Sequence, residues 1–134
     1  MKIKLDEGAF LPERGHPMDA GLDLKAPYSF TIYSGERKDI DTGVHVEIPD
    51  GCIGFMTSNQ AHKRGVISEG TVNSSYRGPI HVVLTNTSPW IVDFEVGDKI
   101  AQLVILPCFI PDVTVVDKLT DTDRVADGFG STGK

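Results

Sequence analysis

Long apolar runs are missing from this sequence. No stretch approaches the roughly 20 residues that a membrane-spanning helix needs, and the opening Met1-Lys2-Ile3-Lys4-Leu5-Asp6 lacks a signal peptide's apolar segment. The expectation is a cytoplasmic protein with no membrane partner. Cysteine is scarce too: Cys52 and Cys108 are the only two. Both lie in apolar segments without the paired spacing of a metal knuckle, so reduced, buried thiols are expected. Basic charge is short, with 13 Lys and Arg against 19 Asp and Glu, a formal net charge of -6 and a pI of about 5.0. Such a chain has no footprint for holding a nucleic acid polymer by counterion release. It can still bind a small polyanion where a few cations, a metal ion and backbone amides converge. Helical periodicity is also lacking. No stretch of ten or more residues free of Gly and Pro shows it, although 59–64 suits a short helical turn.

What remains reads as strand. Apolar residues recur at period two, as in Val44-His45-Val46-Glu47-Ile48, or in short runs such as Ile100 to Leu106. Turn signals are frequent, among them Ser34-Gly35, Pro49-Asp50-Gly51, Gly78-Pro79 and Val96-Gly97-Asp98. Many short strands punctuated this often predict an all-β sandwich, jelly roll or barrel in one domain. His16, His45, His62 and His81 are scattered, and none sits at metal-ligand spacing from another. Each reads as a solvated or packed histidine.

The last segment differs from the rest. After Leu119 the sequence turns polar and runs Arg124-Val125-Ala126-Asp127-Gly128-Phe129-Gly130-Ser131-Thr132-Gly133-Lys134. Glycines on both sides of Phe129 let backbone approach a ligand closely. Ser131 and Thr132 offer hydroxyls and amides to phosphate oxygens, and Arg124 adds a charged fork. Phe129 can stack on a flat base. The alternative for such a tail is a frayed terminus.

The string Gly128-Phe129-Gly130-Ser131-Thr132-Gly133 resembles the fifth motif of the trimeric dUTPases, and four more matches occur in that family's order. Ala20-Gly21-Leu22-Asp23-Leu24-Lys25-Ala26 resembles the first motif. Met56-Thr57-Ser58-Asn59-Gln60-Ala61, followed by Lys63 and Gly65-Val66, stands in the place of the second. Gly70-Thr71-Val72-Asn73-Ser74-Ser75-Tyr76-Arg77-Gly78 resembles the third, and Gly97-Asp98-Lys99-Ile100-Ala101-Gln102-Leu103-Val104 the fourth. The resemblance implies a jelly-roll domain over 1–119 and a flexible C-terminal arm over 120–134. It implies a homotrimer in which each arm closes over a neighbour's nucleotide site, as a lid whose ordering is coupled to binding. The implied reaction is hydrolysis of dUTP to dUMP and pyrophosphate with Mg2+, which lowers dUTP and supplies dUMP for thymidylate synthesis.

The resemblance also distributes roles. Tyr76 would pack on the deoxyribose so that a ribose 2'-hydroxyl clashes. Backbone from Gly70 to Val72 would present amides and carbonyls to the uracil edge. Ser58, Asn59, Gln102, Arg124, Gly130, Ser131 and Thr132 fall at substrate-contacting positions, and Phe129 stacks on the base. Asp23 would stand near the water shell of the metal. Mg2+ is commonly held by phosphates and waters, so no direct metal ligand is assigned.

Two departures bear on mechanism. Where the family places a general-base aspartate, this chain has Asn73. An amide accepts a hydrogen bond but does not take up a proton near neutral pH. A positioned base contributes about 10²- to 10⁴-fold, so turnover should fall while binding survives. In the second motif Thr57 replaces a basic residue, losing a guanidinium's bidentate pairing. Asn59 replaces a glycine; asparagine tolerates left-handed backbone, which would let that loop keep its shape. A dUTP diphosphatase weakened or inactivated by Asn73, a catalytically dead dUTP-binding regulatory protein, and a dCTP deaminase-like enzyme are the candidate functions. Tyr76 and the tail suit dUTPase better than the deaminase.

Overall fold

A computed structural model of the chain describes residues 1–128 and residue 130. Among these residues the chain forms β1 (Lys2–Leu5), β2 (Leu22–Lys25), β3 (Phe30–Ile32), β4 (Arg37–Asp41), β5 (Val44–Glu47) and β6 (Cys52–Thr57). A 3-10 turn (Gln60–Arg64) follows, then β7 (Val66–Asn73), β8 (His81–Asn86), β9 (Val92–Phe94) and β10 (Lys99–Pro107). All strand pairings are antiparallel. One sheet runs β2-β10-β6-β7-β8-β4, while β3 pairs with β9 and β1 with β5. Three of these pairings are nested, β2 with β10, β3 with β9 and β4 with β8. The chain thus folds back on itself as one long hairpin rolled into a jelly roll, the architecture expected from the sequence.

Period-two alternation explains which faces are buried. In β2 Leu22 and Leu24 point inward, and in β5 Val44 and Val46 do, while Asp23, Lys25, His45 and Glu47 stay partly exposed. The inward side chains meet Ile32, Ile40, Ile80, Leu84, Phe94, Ile100 and Leu103, all essentially inaccessible to water. Each such side chain stabilises the fold by about 1.5–3 kcal/mol. The turn before β6 depends on Gly51, whose φ of 77° is the left-handed conformation that a side chain disfavours.

Strand β7 belongs to two neighbours in turn. Its first half, Val66 to Glu69, pairs with β8; its second half, Gly70 to Asn73, pairs with β6. The change of partner falls at Gly70, where an added Cβ would stand 2.3 Å from Met56 Cε. A glycine there lets β6 and β7 close up while β8 departs.

Among the described residues the buried polar side chains are Thr42, Ser68 and Asn86, and each is hydrogen-bonded. Asn86 Nδ2 donates to the Ile32 and Trp90 carbonyls at 2.9 and 2.7 Å, and its Oδ1 accepts from Ser88 N and Oγ at 2.9 and 2.7 Å. This ties the end of β8 to β3 and to the approach to β9. Ser68, also buried, donates its hydroxyl to the Ile100 carbonyl and its backbone amide to Ser58 Oγ at 2.7 Å.

Two expectations need correction. Cys52 and Cys108 are free thiols, as expected, but half-exposed rather than buried, because both sit at the open end where β6 starts and β10 finishes. The turn at 59–64 forms, yet Asn59 has φ -127°, and the left-handed residue of that loop is Gly65 at φ 78°. Beyond β10 the described chain enters no strand, and Phe109, Ile110, Val113, Val115 and Leu119 lie exposed.

Candidate functional site

The motif residues fall in separate places on one copy of the chain. Asp23, Asn59 and Gln102 line a polar recess of about 270 Å³ with Gly15, His16, Asp19, Gly21, Gln60 and Lys99. Strand β10 brings them together, because Gln102 lies opposite Asp23 on one side and Thr57 on the other. Asp23 Oδ2 is 2.9 Å from Lys99 Nζ, and its Oδ1 accepts from Asn59 Nδ2 at 3.1 Å. The same Nδ2 donates to the Ala101 carbonyl at 2.9 Å. Asn59 therefore holds its loop through its side chain rather than through left-handed backbone. Its Oδ1 is buried with no partner among the described residues.

Gln102 is held from two sides. Its Nε2 donates to Thr57 Oγ1 at 3.0 Å, and its Oε1 lies over Gly21, where a Cβ would come within 2.3 Å. Glycine at position 21 is what leaves room for this amide. Thr57, standing where a basic residue was expected, serves here as the amide's acceptor.

Ser58 and Gly70 share a second and larger cleft of about 570 Å³, opened where β6 and β8 diverge around β7 and lined also by Arg37, Phe55, Glu69 and Val83. The Val72 side chain is buried, so only its backbone is offered to a ligand. Pairing with β8 ends at Glu69, and residues 70–73 pair with β6 alone. Among the described residues their other edge pairs with no strand, which leaves backbone donors and acceptors for a planar ligand edge.

Asn73 and Tyr76 stand at the far end of β7. Asn73 is exposed, and its carbonyl accepts the Tyr76 amide at 3.1 Å in a tight turn. Tyr76 lies over Gly78, where a Cβ would meet the phenol oxygen at 2.3 Å, and its hydroxyl donates to the Pro79 carbonyl at 2.9 Å. The ring is 43% exposed, open for stacking. Arg124 is exposed and caps its own tail turn by donating to the Asp127 carbonyl. Gly130 has φ 89°, a conformation glycine adopts freely. Phe129, Ser131 and Thr132 lie outside the described residues.

Among the described residues no three His, Cys, Asp or Glu side chains gather into a metal cage, and no helix is long and apolar enough to cross a membrane. Sequence reasoning assigned no role to His16 or Lys99, which line the Asp23 recess. Lys99 stood within the fourth motif, which was the available signal; His16, in an unassigned turn seven positions before Asp23, carried none.

The dUTPase family model matches residues 7–133. A deoxyuridine 5'-triphosphate nucleotidohydrolase of Cutibacterium acnes is 41% identical over 129 residues, spanning 92% of this chain and 85% of its own. That of Picosynechococcus is 40% identical over 136 residues, spanning 98% and 96%. Among solved structures, a mutant dUTPase of Staphylococcus bacteriophage 80alpha with dUpNHpp has a TM-score of 0.92 at 27% identity, covering 99% of this chain and 98% of that one. A mutant dUTPase from phage phi11 of S. aureus, described for its coordination of a structural Mg(II) ion, has a TM-score of 0.79 at 26% identity, covering 87% and 96%. With the nested jelly roll and all five motifs, these matches place the chain in the dUTPase family.

Proposed function

We propose that this chain binds dUTP with Mg2+ and hydrolyses it to dUMP and pyrophosphate, at a rate lowered by Asn73. The observation that carries the reading is the unpaired edge of residues 70–73 beside Tyr76. Extended backbone can there meet the uracil edge as a base partner would, and the ring can pack against the deoxyribose. Asn73, at the end of the same edge, orients the attacking water through its amide but takes no proton from it. Ser58, Asn59 and Gln102 supply hydroxyl and amide donors for phosphate oxygens, and Lys99 brings positive charge to the same recess.

A homotrimer reconciles these parts. Strand β6 places Asn73 opposite Ile53 on one side and Gln102 opposite Thr57 on the other, an offset along the strand of roughly 13 Å at about 3.3 Å per residue. We read the two ends as meeting at one ligand between neighbouring copies of the chain. The outward side chains Phe55, Ile67 and Leu106 make an apolar face suited to such packing. The segment 120–134 then reaches a neighbour's site, where Arg124, Phe129, Gly130, Ser131 and Thr132 cover base and phosphates.

The acidic residues fit a metal held mainly by substrate. Asp23 is already engaged by Lys99 and Asn59, so it addresses Mg2+ through water. When bound, the ion neutralises phosphate charge.

A second reading, a dUTP-binding regulator that does not hydrolyse, is favoured by Asn73 and by the replacement of a cation with Thr57. Calorimetry with dUTP and Mg2+, run beside a pyrophosphate-release assay, tests both. Binding with slow release supports the enzyme, binding with no release supports the regulator, and absence of binding overturns both.

A further inference from the structure

We propose that His45 is a positioning residue for the loop that presents Tyr76: from β5 it holds the Arg77 carbonyl, and it does so fully only while both of its ring nitrogens carry protons. The alternation that buries Val44 and Val46 turns His45 and Glu47 together to the other face of β5. Both meet Arg77 there. His45 Nδ1 is 2.7 Å from the Arg77 carbonyl oxygen, and Glu47 Oε1 is 3.6 Å from Arg77 Nε. The guanidinium also turns back into the loop, donating from Nη1 to the Ser74 and Tyr76 carbonyls at 2.5 and 3.2 Å. One strand thus grips one residue at its backbone and at its head, and that residue adjoins Tyr76.

The proton requirement follows from the partners. His45 Nε2 lies 3.0 Å from Asp6 Oδ2. A carbonyl and an ionised carboxylate only accept, so both ring nitrogens must donate, and only the imidazolium can do so. The neutral ring gives up one bond. In keeping with this, the Arg77 carbonyl bond and then the Asp6 bond raise the His45 pKa above its ordinary 6.5, against partial desolvation and the nearby Lys4. The charges around the ring are Asp6, Lys4 (opposite His45 on β1), Glu47 with its partner Lys2, and Arg77. Among the described residues, no other histidine lines the surface cleft formed by Lys2, Lys4, His45, Glu47 and Arg77. Geometry and titration together make the Tyr76 loop firmer below the His45 pKa than above it.

The consequence for ligand selection rests on the reading of Tyr76 as the deoxyribose platform; the loop's own response does not. The test is an NMR pH titration of the full chain without nucleotide, with His45→Gln and His45→Ala alongside, followed by dUTP affinity across the same pH range. In the unsubstituted protein the amides of Ser75, Tyr76 and Gly78 should shift with the midpoint of the His45 ring, above 6.5. The dUTP dissociation constant should rise roughly 3- to 10-fold through that midpoint, the effect of one hydrogen bond. His45→Ala should bind weakly at every pH. His45→Gln can donate to the Arg77 carbonyl without titrating, and its dUTP affinity should show no His45-linked step. The proposal is overturned if the loop amides ignore the His45 midpoint, or if folded His45→Gln keeps the same step. If dUTP binds at no pH, the functional reading fails, and the amide titration still decides the role of His45.

Discussion

Asn73 and Gln102 occupy opposite ends of β6, facing Ile53 and Thr57 respectively, and never approach each other within one copy of the chain. If one ligand uses both ends, two crippled variants should repair each other. Tyr76→Ala and Gln102→Ala are each expected to bind dUTP poorly alone. Unfolded, mixed and refolded together, they should form oligomers with some sites intact at both ends and recover part of the binding. A mixture no better than its components would place the site within a single copy.

Position 73 separates binding from turnover. Asn73→Asp restores a proton acceptor at an exposed strand end. Pyrophosphate release should rise by about 10²- to 10⁴-fold, while dUTP affinity changes little. An unchanged rate would show that Asn73 does not stand at the position of the base.

Gly78 is the floor beneath Tyr76. A Cβ there would meet the phenol oxygen at 2.3 Å and Cζ at 2.5 Å, so Gly78→Ala should push the ring away and lower the preference for dUTP over UTP. On a Tyr76→Ala background the same change should do almost nothing, because the two act through one contact. Competition binding with the two nucleotides reads both outcomes.

Asn86→Ala should be among the most destabilising single changes in the core. It removes four hydrogen bonds, taking the Asn86 donor from the Ile32 carbonyl and leaving the Trp90 carbonyl with Ser88 Oγ at 3.2 Å. A loss of about 3 kcal/mol is expected, read from the shift of the denaturant midpoint at fixed protein concentration.

Stability should also carry the signature of His45. Its folded pKa is raised above 6.5, so the folded chain binds the proton more tightly than the unfolded one. The contribution is complete below about 6.5 and is lost as pH rises through the raised value. Thermal melts across that window should show a decline that His45→Gln abolishes; an identical decline in the variant would assign it to other groups.

The strands at 44–47 and 99–107 were legible because their apolar residues alternate or run together, a local pattern. The short helical turn expected over 59–64 forms over 60–64. What stayed hidden depends on partners far along the chain. Asn59 looked like a tolerant substitute for glycine, yet its conformation is set by Asp23 and Ala101, some forty residues away in either direction. His45 looked like any strand histidine, because nothing near it in sequence announces Asp6 and Arg77. The motifs revealed the family; they did not reveal that Gln102 rests on Thr57 or that Lys99 neutralises Asp23. Half-exposed cysteines were missed for a related reason: apolar neighbours in sequence say little about which end of a sheet is left open.

The nested pairing has a consequence for the order of events during synthesis. Strands β2, β3 and β4 find their partners only in β10, β9 and β8, so the main sheet cannot close until β10 has been made. Until residue 107 is free, Leu22, Leu24, Ile32 and Ile40 have no finished core to enter. Closing such long loops places folding in the range of milliseconds to seconds. During that interval the first third of the chain is a set of uncovered strands, and its fate depends on how soon the last strand arrives.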